Sequence, residues 1–147
     1  LRQPQTTVEF DDYYDLRWRI LRAPLGLPRG SEKDHLEEVS YHLSAQNDDG
    51  DMVGVAKFKP FSAEVVQISH IAVEESCRGQ GVGRKLIERL ESVATGRGCT
   101  EVFLTAREYN IPYFRHLGYR LGEEEAKDNP LPNIRIFKMH KSLNMDR

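Results

Sequence analysis

The sequence is short of cysteine and of any excess of one charge. Only Cys77 and Cys99 occur among 147 residues. They show neither CxxC nor a Cys/His ligand spacing, which argues against a disulfide framework and against a zinc site built on thiolates. His35, His42, His116 and His140 form no HxxxH or HExxH pattern, so no metal is expected. With 21 Lys+Arg against 23 Asp+Glu the net charge is −2. That leaves no general attraction to nucleic acid or to an anionic membrane, and any anion site must be local. No apolar run approaches the ~20 residues of a membrane span, and no basic-then-apolar stretch opens the chain. The expectation is a cytoplasmic protein without membrane or nucleic-acid partners.

What is present fits one domain. A chain of this length buries roughly two-thirds of the surface it exposes when unfolded, enough to fold without a covalent staple. We expect a single domain over residues 6–141, with 1–5 and 142–147 as terminal segments and no role in the fold for 1–5. Residues 6–10, Thr-Thr-Val-Glu-Phe, have strand character. Tyr13, Leu16, Ile20 and Leu21 then fall at helical spacing. Two prolines and two glycines between Pro24 and Asp34 predict a surface loop. Val39 to Ala45 and Met52 to Phe58 read as strands flanking Asp49-Gly50, a hairpin signal. A third strand, Val65 to Val73, runs into Arg78-Gly-Gln-Gly-Val-Gly83, and Val82, Leu86, Leu90 and Val93 mark a helix that stops near Gly96. Strand 101–105, a short helix over 109–117 closed by Gly118, and strands from Tyr119 and Ile134 complete a mixed α/β order.

Closely spaced glycines between a strand and a helix suit phosphate binding, because unpaired N–H groups and the helix dipole point at the anion. The dinucleotide fingerprint GxGxxG fails, since its third glycine would fall on Arg84 or Leu86, and no Walker A loop can be written through residues 79–86. What fits is Arg78-x-x-Gly81-x-Gly83 after His70-Ile-Ala-Val73. Here the chain resembles the GNAT superfamily of acyl-CoA-dependent N-acetyltransferases. Tyr113-Phe-Arg-His-Leu-Gly-Tyr119 is similar to that family's later Phe-Tyr-x-x-x-Gly-Phe segment, with Leu104-Thr-Ala-Arg107 before it. The resemblance covers roughly residues 36–125 and, more loosely, the whole chain. It implies an α/β fold with a mixed, mostly antiparallel sheet of about six to seven strands, flanked by helices and splayed at the acyl-CoA site.

The same resemblance implies acetyl-CoA as co-substrate. Backbone N–H groups of Gly79, Gln80, Gly81, Val82, Gly83 and Arg84 would cradle its pyrophosphate, with charge from Arg78 and Arg84. The strand edge at Ile71, Ala72 and Val73 would pair with the pantetheine arm, and Asn110 and Phe114 would line it. The Val73 N–H would stabilise the oxyanion of a tetrahedral intermediate.

Acyl transfer to an amine requires loss of the amine proton, because a group of pKa about 10.4 is protonated at neutral pH. Gln67, Ser69, His70 and Glu64 occupy the strand, and only His70 titrates near neutrality, so it is the candidate base. A histidine hydrogen-bonded within the sheet is the alternative. Strict alternation would put His70 and Ser69 on opposite faces. The family's acid is usually a Tyr at the second position of its later motif, where this chain has Phe114. Tyr113, or Tyr109, would have to protonate the departing thiolate, or the thiolate, of pKa about 8.5, would leave unassisted. Tyr113 as core packing is equally open, and Phe114 keeps an inactive acyl-CoA sensor on the same fold as the alternative function.

The acceptor is expected to be a primary amine on a small molecule or peptide. Glu32, Asp34, Glu37 and Glu38, with a second acidic stretch at Glu123, Glu124, Glu125 and Asp128, would suit a cationic amine, or serve as solvated loop charges. Arg17, Arg19, Arg22 and Arg29 would equally suit a carboxylate. Asn133 stands where small bacterial members often carry His. A homodimer is left open.

Overall fold

The chain opens with a helix where a strand is expected. In the computed structural model, which describes residues 1–125 and 134–143, α1 spans Thr7–Arg17. Thr6 caps it: its hydroxyl accepts from the Glu9 N–H at 3.1 Å, and the Glu9 carboxylate accepts from the N–H of Thr6 and of Gln5. This capping box satisfies donors that a helix start otherwise leaves open. It overrides the β-branched run at residues 6–8, whose intrinsic preference is weaker than a reciprocal cap plus tertiary burial. Residues 1–5 also have a structural role that the sequence does not suggest. Arg2 and Ser44 exchange two backbone hydrogen bonds of 2.8 Å, so the chain start extends the sheet edge.

After Arg17 the helix widens into a π-helical turn, Trp18–Arg22, and closes with a 3-10 turn, Ala23–Leu25. The expected loop follows and ends in a 3-10 turn, Glu37–Val39. Six strands form one sheet: β1 Tyr41–Gln46, β2 Met52–Pro60, β3 Val65–Val73, β4 Glu101–Arg107, β5 Arg120–Glu124 and β6 Ile136–Ser142. Their order is β1-β2-β3-β4-β6-β5, antiparallel except for β3 against β4. The mixed sheet expected from the sequence is thus present. The β1–β2 turn is organised by Asn47, whose side-chain carbonyl accepts from the N–H groups of Asp49 and Asp51. Asp128 and Asn133 lie outside the described residues.

Two irregularities shape the centre. Parallel pairing between β3 and β4 is confined to Val65–Gln67 against Glu101–Phe103, and beyond it the strands part. The connection between them is α2, Val82–Gly96. Across the other edge of β3, Lys57 pairs with Ser69 but Val55 pairs with Ala72, so β3 carries one residue more than β2 in that interval. The extra residue is a β-bulge, and His70 within it has φ +56°, the only non-glycine residue with positive φ among those described.

Each face of the sheet is covered. Against one face α2 buries Leu86, Ile87, Leu90 and Ala94 on Ala56, Phe58, Val66, Ile68, Val102 and Leu104. α3, Ile111–His116, adds Phe114 to the same core. α2 approaches β2 closely, since a Cβ on Gly54 would lie 2.8 Å from Val82 Cγ1. On the other face α1 places Tyr13 and Leu16 against Val55 and Ala72. No helix among the described residues is long and apolar enough to cross a membrane.

Candidate functional site

The parting of β3 and β4 leaves a cleft with one mouth on each face of the sheet. On the α2 face, the strand-to-helix turn lies at its end. Gly79 and Gly81 have φ of +80° and +81°, a region that only glycine enters at little cost. Gly81 is the N-cap of α2 and makes no side-chain cap, so the first N–H groups of α2 have no capping side chain. Arg78, Gly79, Gln80 and Arg84 are exposed around the turn, with Gly81, Val82 and Gly83 half-buried behind them. Arg78 folds back so that its Nε donates to the Val73 carbonyl at 3.3 Å. The arrangement is a fixed cradle of amide donors, positively charged at its rim, suited to a phosphate group.

β3 offers its free edge to the cleft. The Glu74 N–H donates to the Val53 carbonyl of β2 at 2.8 Å. Successive strand residues turn their polar groups to opposite edges, so the Val73 N–H faces the cleft. Ile71 and Val73 are half-buried along this edge, whereas Ala72 is buried beneath α1.

The order of the two aromatics in α3 is resolved by burial. Phe114 is 8% exposed, packed edge-on against Tyr119 and Tyr113, so it serves the core. Tyr113 is 44% exposed, and its hydroxyl lies 3.1 Å from where a Cβ on Gly83 would stand; the Val73 side chain is 3.8 Å from the same point. The missing side chain of Gly83 therefore makes room for a phenol at the inner end of the cradle, beside Val73. Burial, partly opposed by the nearby Arg84 charge, raises the Tyr113 phenol above its ordinary value, so it holds its proton at neutral pH. Asn110 sits at the N-cap of α3, exposed and with no side-chain cap bond. Tyr109 is exposed and its hydroxyl accepts from Arg107 Nη1 at 3.0 Å.

The other mouth, beneath α1, differs from expectation. The bulge breaks strand alternation, and His70 Nδ1 lies 3.1 Å from Ser69 Oγ on the same face, not the opposite one. Burial first, then the charges of Arg17, Lys57 and Arg22, push the His70 imidazole down to about 2. It is a neutral ring with little affinity for a proton.

Of the acidic loop residues, Glu38 is exposed, buried Glu32 accepts from the Gly30 N–H at 2.8 Å, and Asp34 and Glu37 are engaged by buried cations. Lys57, fully buried on β2, donates at 2.9 Å to both Asp34 and Glu37. Arg17, also fully buried, forks onto the two Glu37 oxygens at 3.0 and 2.9 Å and reaches the Glu32 backbone carbonyl. Lys59 shares Asp34 at 2.9 Å. Glu37 further accepts from Tyr14 and from the Asp34 N–H. Burial would raise the Glu37 carboxyl, but hydrogen bonds from Arg17, Asp34 N–H and Lys57, with the Arg17 charge, hold it down at about 2. Asp34 is held low against burial by Lys57 and Lys59. Neither carboxylate is free for a cationic amine. Sequence reasoning missed this network because Lys57 sits in a strand of apolar residues and its partners lie about 20 positions earlier; only an unpaired charge in a buried strand could have hinted at it.

A family model described as the Acetyltransferase (GNAT) family matches residues 9–119. The chain belongs to this family. As a GNAT protein it is an acyltransferase. It is 31% identical over 148 residues to the Bacillus subtilis (strain 168) protein named "Uncharacterized N-acetyltransferase YitI", covering 96% of this chain and 97% of that one. A second relative from the same strain, "Uncharacterized N-acetyltransferase YjcF", is 27% identical over 132 residues, covering 88% and 92%. Among solved structures, an aminoglycoside 6'-N-acetyltransferase complexed with coenzyme A superposes with a TM-score of 0.80 at 16% identity, over 97% of this GNAT chain and 94% of that one. At that identity the likeness is one of fold.

Proposed function

We propose that this GNAT protein transfers an acetyl group from acetyl-CoA to a primary amine of a small molecule or peptide by direct attack on the thioester. The observation that carries it is the convergence, at one end of the β3–β4 cleft, of the Gly79–Arg84 cradle, the Val73 N–H edge and the Tyr113 hydroxyl. The co-substrate supplies an activated acyl carbonyl and a thiolate leaving group. In this assignment the turn from Gly79 to Arg84 binds the pyrophosphate, with Arg78 and Arg84 at its rim. The β3 edge at Ile71 and Val73 pairs with the pantetheine amides, and Asn110 contacts the arm from the other side. Ala72 and Phe114 support the cleft walls from within the core. The Val73 N–H donates to the carbonyl oxygen as negative charge develops there.

Tyr113, protonated at neutral pH, gives its proton to the departing sulfur. The phenol therefore stands one position earlier in this chain than the family motif places it. That hydroxyl favours a transferase over a silent sensor, since Phe114 no longer marks a missing acid.

His70 is a poor sink for an ammonium proton. The surrounding cations instead lower the pKa of an amine that enters the α1-side mouth, which eases proton loss to water. His70 shapes the β3 bulge and positions Ser69.

The test is a thermal shift with acetyl-CoA, followed by assay of released CoA thiol with a panel of amines. Saturation at about 100 times Kd adds ~2.7 kcal/mol of apparent stability. Gly81→Glu, which strains a φ of +81° and brings negative charge to the cradle, should abolish the shift. An equal shift in wild type and variant would refute the assignment of the turn.

A further inference from the structure

Four arginines in the first 30 residues were candidates for an anion on the acceptor, and the structure separates them. Arg17 is fully buried and taken by Glu37. Arg19 is taken by Asp15 and Glu74. Arg29 pairs with Asp15 and lies over the Trp18 ring at 4.2 Å. Of the four, Arg22 alone pairs with no carboxylate among the described residues: its Nε donates to the Ser31 carbonyl at 3.1 Å and Nη1 to the Leu21 carbonyl at 3.4 Å. It is half-buried, at the end of the π-helical turn, which packs on β3. A second guanidinium lies on the same side of the sheet. Val102, Leu104 and Ala106 of β4 belong to the α2-side core, so alternation turns Thr105 and Arg107 to the α1 side. Among the described residues Arg107, the last residue of β4, bonds only the Tyr109 hydroxyl and has no carboxylate partner.

Burial, and then the charges of Arg107 and Arg17, lower the Arg22 guanidinium below its ordinary value against the opposing charge of Glu32. Around them stand three more cations, Arg17, Lys57 and Lys59, against three carboxylates: Asp34 and Glu37, which pair with those cations, and buried Glu32, whose charge acts on Arg22. Two half-buried guanidiniums on one side of the sheet, with no carboxylate hydrogen-bonded to either among the described residues, are costly unless an anion joins them.

We propose that the amine acceptor carries an oxyanion group, a carboxylate or a phosphate monoester, and that Arg22 and Arg107 bind that group at the α1-side mouth of the cleft. The inference rests on the acetyl-transfer assignment above and names its substrate class. A guanidinium matches either oxyanion with paired N–H donors. A bound oxyanion offsets part of the positive charge at the mouth and orients the amine toward the thioester, and the remaining cations disfavour acceptors bearing only extra ammonium groups.

The experiment uses two matched pairs of amines, tyrosine against tyramine and phosphoethanolamine against ethanolamine, so the carboxylate and phosphate arms are distinguished. Each is measured for acetyl transfer and, by calorimetry, for binding to the complex with CoA. The anionic member of at least one pair should win. Arg22→Gln and Arg107→Gln should each raise its KM about tenfold to a hundredfold, the weight of a charge-assisted hydrogen bond, with little change in kcat. The acetyl-CoA thermal shift should stay as in wild type. Equal use and binding of both members of both pairs, a preference for the neutral members, or variants that weaken all four amines alike would overturn the inference while leaving acetyl transfer intact. Loss of the acetyl-CoA shift in wild-type protein would instead bring down the functional assignment itself.

Discussion

Replacing Glu37 by Gln removes one charge and leaves two cations where water cannot reach them. In the folded protein Glu37 accepts five hydrogen bonds, two from Arg17 and one each from Lys57, Tyr14 and the Asp34 N–H. Arg17 and Lys57 are both 0% exposed; without Glu37, Lys57 keeps Asp34 and Arg17 keeps no carboxylate partner among the described residues. Breaking a buried ion pair by removing one partner typically costs about 3–5 kcal/mol, because the surviving charge stays buried. That is a large part of the roughly 5–15 kcal/mol that holds a domain together. At about 2–4 °C per kcal/mol for a chain of this size, the midpoint of thermal unfolding should fall by roughly 6–20 °C.

Acid provides a second readout. The Glu37 carboxyl is held at about 2, below its ordinary 4.5, so its contribution is complete above pH 4.5 and disappears as pH falls through about 2. The stability gap between wild type and Glu37→Gln, followed by urea denaturation, should therefore close over that interval. A variant within about 1 kcal/mol of wild type at pH 7, a loss in the range of an exposed ion pair, or a gap that does not narrow in acid, would refute the view of Glu37 as the counterion of buried Arg17 and Lys57.

The remaining predictions concern the cleft. Tyr113→Phe should lower kcat by about a hundredfold, at the small end for general acid catalysis, since a thiolate is a modest base, while acetyl-CoA affinity holds. Exchanging the pair as Tyr113→Phe with Phe114→Tyr should not restore the rate, because position 114 points into the core; restoration would show that the hydroxyl acts from there. Gly54→Ala drives a Cβ to 2.8 Å from the stiff Val82 side chain at the start of α2 and should cost about 1–3 kcal/mol in urea denaturation; an unchanged midpoint would mean that α2 sits farther from β2.

Much of the architecture was legible because local chemistry and tertiary context agree. The alternating apolar run of Val65 to Val73, the glycine turn and the Leu86-Leu90 stripe each specify their element alone, and their order led to the family. At the start of the chain two local signals compete over Thr6 to Phe10. The β-branched run favours a strand, but Thr6 and Glu9 three residues apart form a capping box, and the helix prevails once Tyr13 and Leu16 find the sheet. That spacing was present in the sequence and carried more weight than the propensities.

The site divides along the same line. The phosphate cradle is a contiguous stretch, Arg78 to Arg84, whose glycines are required by backbone geometry, so the sequence alone could locate it. Which aromatic of Tyr113-Phe114 faces the cleft depends on the rotation of α3 against the core, and only packing decides that. The bulge that brings His70 onto the side of Ser69 is a mismatch between β2 and β3, invisible in either strand separately. The fate of the charges is decided by distance in space: Asp34 and Glu37 are counterions of Lys57 and Arg17, while Arg22 and Arg107, 85 positions apart, are left on one side of the sheet with no carboxylate bonded to either among the described residues. Local sequence specified the elements and the anion cradle, because those depend on neighbours along the chain. Tertiary structure decided which side chains are spent inside the fold and which remain for a substrate, because burial and pairing depend on what arrives from elsewhere.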